Sequence, residues 1–195
     1  MRTTKLERNT KETKIKLAIN LDGTGVCKVK SGCGFLDHML ELFAHHSKFD
    51  IEIFCDGDTY VDYHHSVEDI AILLGSAIRT CLGDCKGINR YGSCTLPMDE
   101  VLMLTAIDIC SRSTLVYNVE FKTEKVGDFD VELAQEFMLS LARNLNASIH
   151  FHMQAGGNTH HVIEAMFKSL ARCLRHAVAI DKEYANEIPS SKGMI

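Results

Sequence analysis

The sequence predicts an α/β (α+β) protein built from two tandem repeats of a strand-strand-helix-strand-helix unit. Its helices are expected to lie sandwiched between two mixed four-stranded sheets. Three observations carry this. Apolar spacing switches between period 2 and period 3.6 in the same order in both halves of the chain. The hexapeptide HHSVED at 64–69 returns as HHVIEA at 160–165, each at the predicted start of a helix. Only two prolines, Pro97 and Pro189, interrupt the chain, and no flexible linker is visible. The repeats are expected at approximately 1–92 and 93–180, packed as one compact body with a C-terminal tail at 181–195.

Each element follows from its own pattern. Ile15, Leu17, Ile19 and Leu21 alternate with polar residues, as in a half-buried strand, and DGTG is expected to turn the chain into a second strand, VCKVK. Leu36, Met39, Leu40 and Phe43 share one helical face. FDIEIFC reads as a strand and DGDTYVD as a loop. A helix from His64 then keeps Ile70, Leu73, Leu74, Ala77, Ile78 and Cys81 on one stripe, closed by Gly83 and Gly87. In the second half VLMLTAIDI and STLVYNVEF read as strands. VELAQEFMLSLARNLN is a helix aligning Leu133, Phe137 and Leu141, ASIHFHM is a strand, and HHVIEAMFKSLARCLRHAVA is a long helix. Asp62 and Asn158, each two residues ahead of a histidine pair, are expected N-caps.

Composition excludes several function classes. The 195 residues carry a formal charge of −5 with no long basic run, which argues against nucleic acid as a partner. No apolar run reaches membrane length, and the N-terminus lacks the apolar core of an export signal. Eight cysteines form no C-x-x-C pair and mostly sit in apolar patterns, so reduced thiols in the cytoplasm are expected.

The repeated histidine pairs carry the chemistry. Residues i and i+4 share a helical face while i+1 points about 100° away. His64 can therefore grip an ion with Glu68, and His160 with Glu164, whereas His65 and His161 turn toward a different one. Each copy also has an upstream helix with one polar residue among apolar neighbours: His38 in FLDHML and Glu136 in LAQEFM. The eight candidate metal ligands are His38, His64, His65, Glu68, Glu136, His160, His161 and Glu164. Imidazole mixed with carboxylate suits Mn, Fe, Zn or Co, and the count suits two ions with positions left open for substrate. A solitary HHxxE among ten histidines would carry little weight. Two copies in matching context, holding polar groups that are costly to bury unsatisfied, favour a metal site. His45, His46, His150, His152 and His176 are less committed, and His150 and His152 alternate on a strand as surface or interface histidines.

The stretches TKETKI, LDGTG, SGCGFLDHML, DYHHSVEDIAILLG, GINRYG, PMDE, SRSTLVYN, HHVIEAMFKSLAR and IPSSKG together resemble the imidazoleglycerol-phosphate dehydratase family of histidine biosynthesis, in family order over nearly the whole chain. The resemblance implies a hydro-lyase that converts imidazoleglycerol phosphate to imidazole-acetol phosphate with two Mn2+ per active site. It further implies a homo-24-mer whose sites lie between subunits. The eight ligand positions coincide with those above, with Glu136 standing where many members carry histidine. It also implies substrate contacts at Glu12, His46, Arg90, Arg112, Lys168, Ser190, Ser191 and Lys192, the last three in a tail expected to order around phosphate. Proton transfer falls to Glu12 or to a metal-bound carboxylate, Glu68 or Glu164, and the residues leave that choice open. Repeat symmetry suggests one ion held by His38 and His65 with His160 and Glu164 of a neighbour, and the other by His64, Glu68, Glu136 and His161. A di-metal hydrolase and a metal-storage cage share some of these features, but neither accounts for INRYG and IPSSKG together.

Overall fold

In a computed structural model describing all 195 residues, the order is β1 (Thr3–Asn9), β2 (Thr13–Asn20), β3 (Cys27–Lys30), α1 (Gly34–Ser47), β4 (Asp50–Gly57) and α2 (His64–Leu82). It continues with β5 (Tyr91–Met98), β6 (Val101–Ile109), β7 (Thr114–Asn118), the short hairpin β8 (Lys125–Val126) and β9 (Phe129–Asp130), α3 (Glu132–Leu145), β10 (Ala147–Ala155) and α4 (Thr159–Ala177). The two four-stranded mixed sheets have matching orders, β1-β2-β4-β3 and β5-β6-β10-β7, with β8 and β9 as an addition in the second half. The first sheet packs on α1 and α2, the second on α3 and α4, and the layers meet where α1 lies against α4 and α2 against α3.

The alternating patterns bury as expected: Ile15, Leu17 and Ile19 on β2, Ile51, Ile53 and Cys55 on β4, and Met103, Ile107 and Ile109 on β6 form inner faces. The helical stripes meet them in one apolar cluster that runs through both halves. Each fully buried Leu, Ile or Phe there contributes roughly 1.5–3 kcal/mol. Gly75 of α2 allows close approach to α3: a Cβ at that position would lie 2.8 Å from the carbonyl oxygen of Leu141.

Three expectations need correction. DGTG does not form a hairpin, because β2 pairs with β1 and β4, while β3 runs parallel to β4 on its far side. The turn carries the chain across the end of the sheet, secured by Asp50, whose carboxylate accepts from the backbone N–H groups of Thr24, Gly25 and Val26. The fourth strand of each sheet, β1 and β5, is the element that patterning misses. β1 offers only Leu6 as a large apolar residue, and its strand conformation comes from full antiparallel pairing with β2. In addition, Cys81 lies only partly inside the apolar stripe of α2.

Candidate active site

The two histidine pairs are placed by helix starts. Asn158 is the N-cap of α4 and accepts from the His160 N–H at 2.9 Å. Asp62 does the same for the His64 N–H at 2.7 Å, from one position ahead of the N-cap Tyr63. Each pair therefore occupies a first helical turn, with a carboxylate one turn on. His160 Nε2 lies 3.2 Å from Glu164 Oε2, and His64 Nε2 lies 4.0 Å from Glu68 Oε2. Asp69, the last residue of HHSVED, is buried and takes no part in this. It accepts from Arg8 Nε and Thr13 Oγ1 and ties the β1–β2 hairpin to α2.

α1 brings a third donor to the second pair. His38 Nε2 stands 3.8 Å from Glu164 Oε2, and one ligand atom from each of His38, His160 and Glu164 lies within 4.8 Å of the others. All three belong to one chain, whereas repeat symmetry suggested His160 and Glu164 of a neighbour. The reason is the packing of α1 on α4, which the repeat count alone cannot reveal. Phe35 sets its ring edge against His160 at 5.2 Å and forms an apolar wall. Glu164 is 7% exposed. Burial pushes its carboxyl up, but the contacting Lys168 ammonium, with His160 and His38 behind it, holds it below the usual range. Two imidazoles and an ionised carboxylate, open to solvent on the histidine side, fit a divalent cation of the Mn, Fe, Zn or Co type.

The second histidine of each pair meets carboxylates that, Glu12 apart, sequence reasoning missed. His65 Nδ1 donates to Asp58 Oδ2 at 2.9 Å, and its Nε2 lies 3.7 Å from Glu12 Oε1. His161 Nδ1 donates to Glu100 Oε2 at 3.0 Å, and its Nε2 lies 3.7 Å from Asp99 Oδ2. These hydrogen bonds raise both histidines' pKa above the ordinary value, against desolvation. Asp99, Glu100 and His161 are close enough to hold a cation. Glu100, however, already spends both oxygens, one on His161 and the other on the Asn158 N–H at 2.5 Å. Acids at the end of β4 and in the β5–β6 turn, adjoining the histidine helices, were the available signal: Asp58 is the third residue of DGDTYVD and Glu100 ends PMDE.

The remaining candidates are spread out. Glu136 is the fifth residue of α3, as His38 is of α1, and α3 packs on α2. Its Oε1 accepts from Ser140 Oγ at 3.3 Å, and it does not join His64 and Glu68 in a three-ligand group within this chain. His46 lies with Arg172, Arg175 and His176 around a shallow pocket at the C-terminal ends of α1 and α4. Arg90, in the left-handed region at φ 70°, donates to Asp108 at 2.7 and 3.2 Å and to the Pro189 carbonyl at 3.0 Å, so it anchors the tail. Beyond that anchor Ser190 Oγ accepts from the Lys192 N–H, and Ser191 is exposed. Arg112 is exposed in the β6–β7 loop and has no ion-pair partner. Lys168 is the one predicted phosphate contact that touches the His38–His160–Glu164 trio.

These groups occupy opposite ends of α4. The Arg90 N–H donates to the carbonyl of Ala177, seventeen residues beyond His160, a rise of about 26 Å along the helix.

A family model described as imidazoleglycerol-phosphate dehydratase matches residues 31–174. Curated relatives of that name include the protein of Azorhizobium caulinodans, 51% identical over 195 residues, covering 100% of this chain and 99% of the relative. Another is that of Clostridium botulinum, 50% identical over 194 residues, covering 100% and 98%. The crystal structure of imidazoleglycerol-phosphate dehydratase from Staphylococcus aureus superposes with a TM-score of 0.84 at 36% identity, covering 92% of this chain and 99% of that one. IGPD from Pyrococcus furiosus gives the same TM-score and identity, covering 97% and 100%.

Proposed function

Because this chain belongs to the imidazoleglycerol-phosphate dehydratase family, a hydro-lyase of histidine biosynthesis, we propose that it converts imidazoleglycerol phosphate to imidazole-acetol phosphate using two Mn2+ ions per site. The observation that carries the metal reading is the trio of His38, His160 and Glu164, preformed in one chain around a carboxylate kept ionised by Lys168. His65 of a neighbouring copy would complete that ion, and His64, Glu68 and His161, with Glu136, would hold the other. Bound there, the cations would supply Lewis acidity to an imidazole ring and make it an electron sink for loss of the adjacent hydroxyl.

The chain's own residues supply the rest. Glu12 is exposed, approaches His65 Nε2 at 3.7 Å and has no side-chain hydrogen bond in its own chain, so it is available to take the proton from the carbon next to the departing hydroxyl. Glu164 and Glu68 remain competitors for that role within the same site. Phe35 packs on the His160 ring and gives the site one apolar side. Arg90, Arg112, Lys168, Ser190, Ser191 and Lys192 are assigned to the phosphate, and His46 to a supporting contact; holding that end fixes which carbon faces the base.

A three-carbon chain joins ring and phosphate and spans under about 10 Å. Arg90 stands about 26 Å of helix from His160. One chain therefore cannot hold both ends of one substrate with Arg90 and His160, which supports sites assembled between copies; the homo-24-mer is the proposed assembly. The body as a whole is read as two fused repeats, 1–92 and 93–180, with 181–195 as the substrate-binding tail. Eight free thiols support a cytoplasmic location, and no helix is long and apolar enough to cross a membrane.

A Mn-dependent dehydration assay on the imidazole diol phosphate, run beside a mass measurement of the assembly, tests the reading. Turnover that disappears with chelator and returns with Mn2+, in an assembly of many copies, is expected. Full turnover by a metal-free monomer would overturn it.

A further inference from the structure

The two halves have diverged in how they orient the second histidine of each pair, and that divergence separates a positioning glutamate from a free one. Glu12 immediately precedes β2 and Glu100 immediately precedes β6, so the two occupy equivalent hairpin turns. Both reach the histidine of their own half. Glu100 is bonded to His161 Nδ1 at 3.0 Å, whereas Glu12 only approaches His65 Nε2 at 3.7 Å, because His65 Nδ1 is already taken by Asp58 at 2.9 Å. Asp58 immediately follows β4; the residue immediately following β10 is Gly156, which has no side chain to offer.

We propose that Asp58 and Glu100 are the positioning carboxylates of the two metal centres, each fixing a histidine with its Nδ1 proton on the carboxylate side and Nε2 presented to the cation. By taking this role in the first half, Asp58 releases Glu12 for the reaction. The inference rests on the metal reading above and deepens it.

Three observations support it beyond the two distances. Asp58 is a largely enclosed carboxylate, its side chain 14% exposed, and its Oδ1 is buried without any hydrogen-bond partner. Such an atom is costly to bury, which argues for a role other than stability. Glu100 is clamped from its other side by the Asn158 N–H, so the residue that caps α4 also aims the carboxylate. Finally, a Cβ at Gly157 would overlap Glu100 Oε1 and Cγ at 2.0 and 2.2 Å. Glycine there makes room for the glutamate to reach His161. Carboxylates bonded to the far nitrogen of a ligating histidine fix its tautomer and ring orientation and raise its basicity.

Mn2+ uptake by the metal-free full-length protein, followed through the free-ion paramagnetic resonance signal, reads this without turnover. Asp58→Ala and Glu100→Ala should each weaken one of the two ions by about 10- to 100-fold, with melting temperature and assembly mass held. Asp58→Asn, which keeps an acceptor for Nδ1–H, should recover most of the affinity. Gly157→Ala, which alters neither partner, should reproduce the Glu100→Ala loss. Glu12→Gln should lower kcat with Mn2+ affinity unchanged. Wild-type affinity in Asp58→Ala and Glu100→Ala, or a loss of Mn2+ in Glu12→Gln equal to theirs, would overturn the assignment. If Asp58→Ala does not fold, Gly157→Ala and Asp58→Asn decide: wild-type affinity in the first or no affinity in the second refutes it. A wild-type protein that takes up no Mn2+ would instead remove the metal reading and this inference together.

Discussion

Complementation between two inactive variants measures whether the site is shared between chains. Arg90→Ala removes a proposed phosphate contact at one end of α4, and His160→Ala a proposed metal ligand at the other. Separated by about 26 Å of helix, these residues of one chain would, on the proposed reading, serve different active sites. Each pure variant therefore carries a defect in every site. In a 1:1 mixture refolded together, a site draws His160 from one copy and Arg90 from another. Each is intact half of the time, so about one quarter of sites carry both when copies assort at random. The assay is turnover per total chain after co-refolding, compared with the two parents refolded separately, with the mixed assembly's mass checked. Activity near one quarter of wild type is expected. A mixed assembly no more active than its parents would show that both residues serve one site in one chain, and the geometric argument for a shared site would fail.

Other outcomes follow from particular contacts. Gly75→Ala places a Cβ 2.8 Å from Leu141 O and 2.9 Å from Leu145 N; overpacking of about 1–3 kcal/mol outweighs a helix-propensity gain of about 1 kcal/mol. The melting temperature should fall by a few degrees per kcal/mol lost, and an increase would refute the close packing of α2 on α3. The Asp50 carboxyl is held below its ordinary range by the Thr24 N–H first, then by Val26, Asn20 and Gly25. A depressed folded-state pKa gives stability that is present above the unfolded value near 3.8 and is lost as pH falls through the lower folded value. Denaturation of wild type and Asp50→Asn should therefore diverge above pH 4 and converge in stronger acid; a constant gap would count against it. Glu136→His places an imidazole at the α3 position equivalent to His38 of α1, and calorimetric titration should still find about two Mn2+ per chain. Loss of one ion would mean that this carboxylate is specifically required.

The site was legible wherever ligands follow helical arithmetic. His160 with Glu164 and His64 with Glu68 are paired by i,i+4 spacing, and a local cap places each pair in a first turn. His38 was identifiable as a polar residue within an apolar stripe, but its partners depended on which helix α1 packs against. Asp58 and Glu100 were not legible as partners. They sit in turns, where no periodicity constrains a side chain, and they reach their histidines only after sheet and helix are brought together.

By itself the chain order determined the duplicated α/β plan, the inner faces of β2, β4 and β6, the helix starts at both histidine pairs, and the donor types for a divalent cation. These are properties of residues near one another in sequence, governed by period, capping and ligand chemistry. Only the tertiary structure decided that β1 and β5 complete the sheets, that DGTG crosses over instead of folding back, and that His38 joins His160 and Glu164. It also decided that Arg90 and the His160–Glu164 pair lie at opposite ends of one helix. Such outcomes depend on pairing and packing between distant segments, where the free energy of burying whole faces overrides what any short stretch prefers.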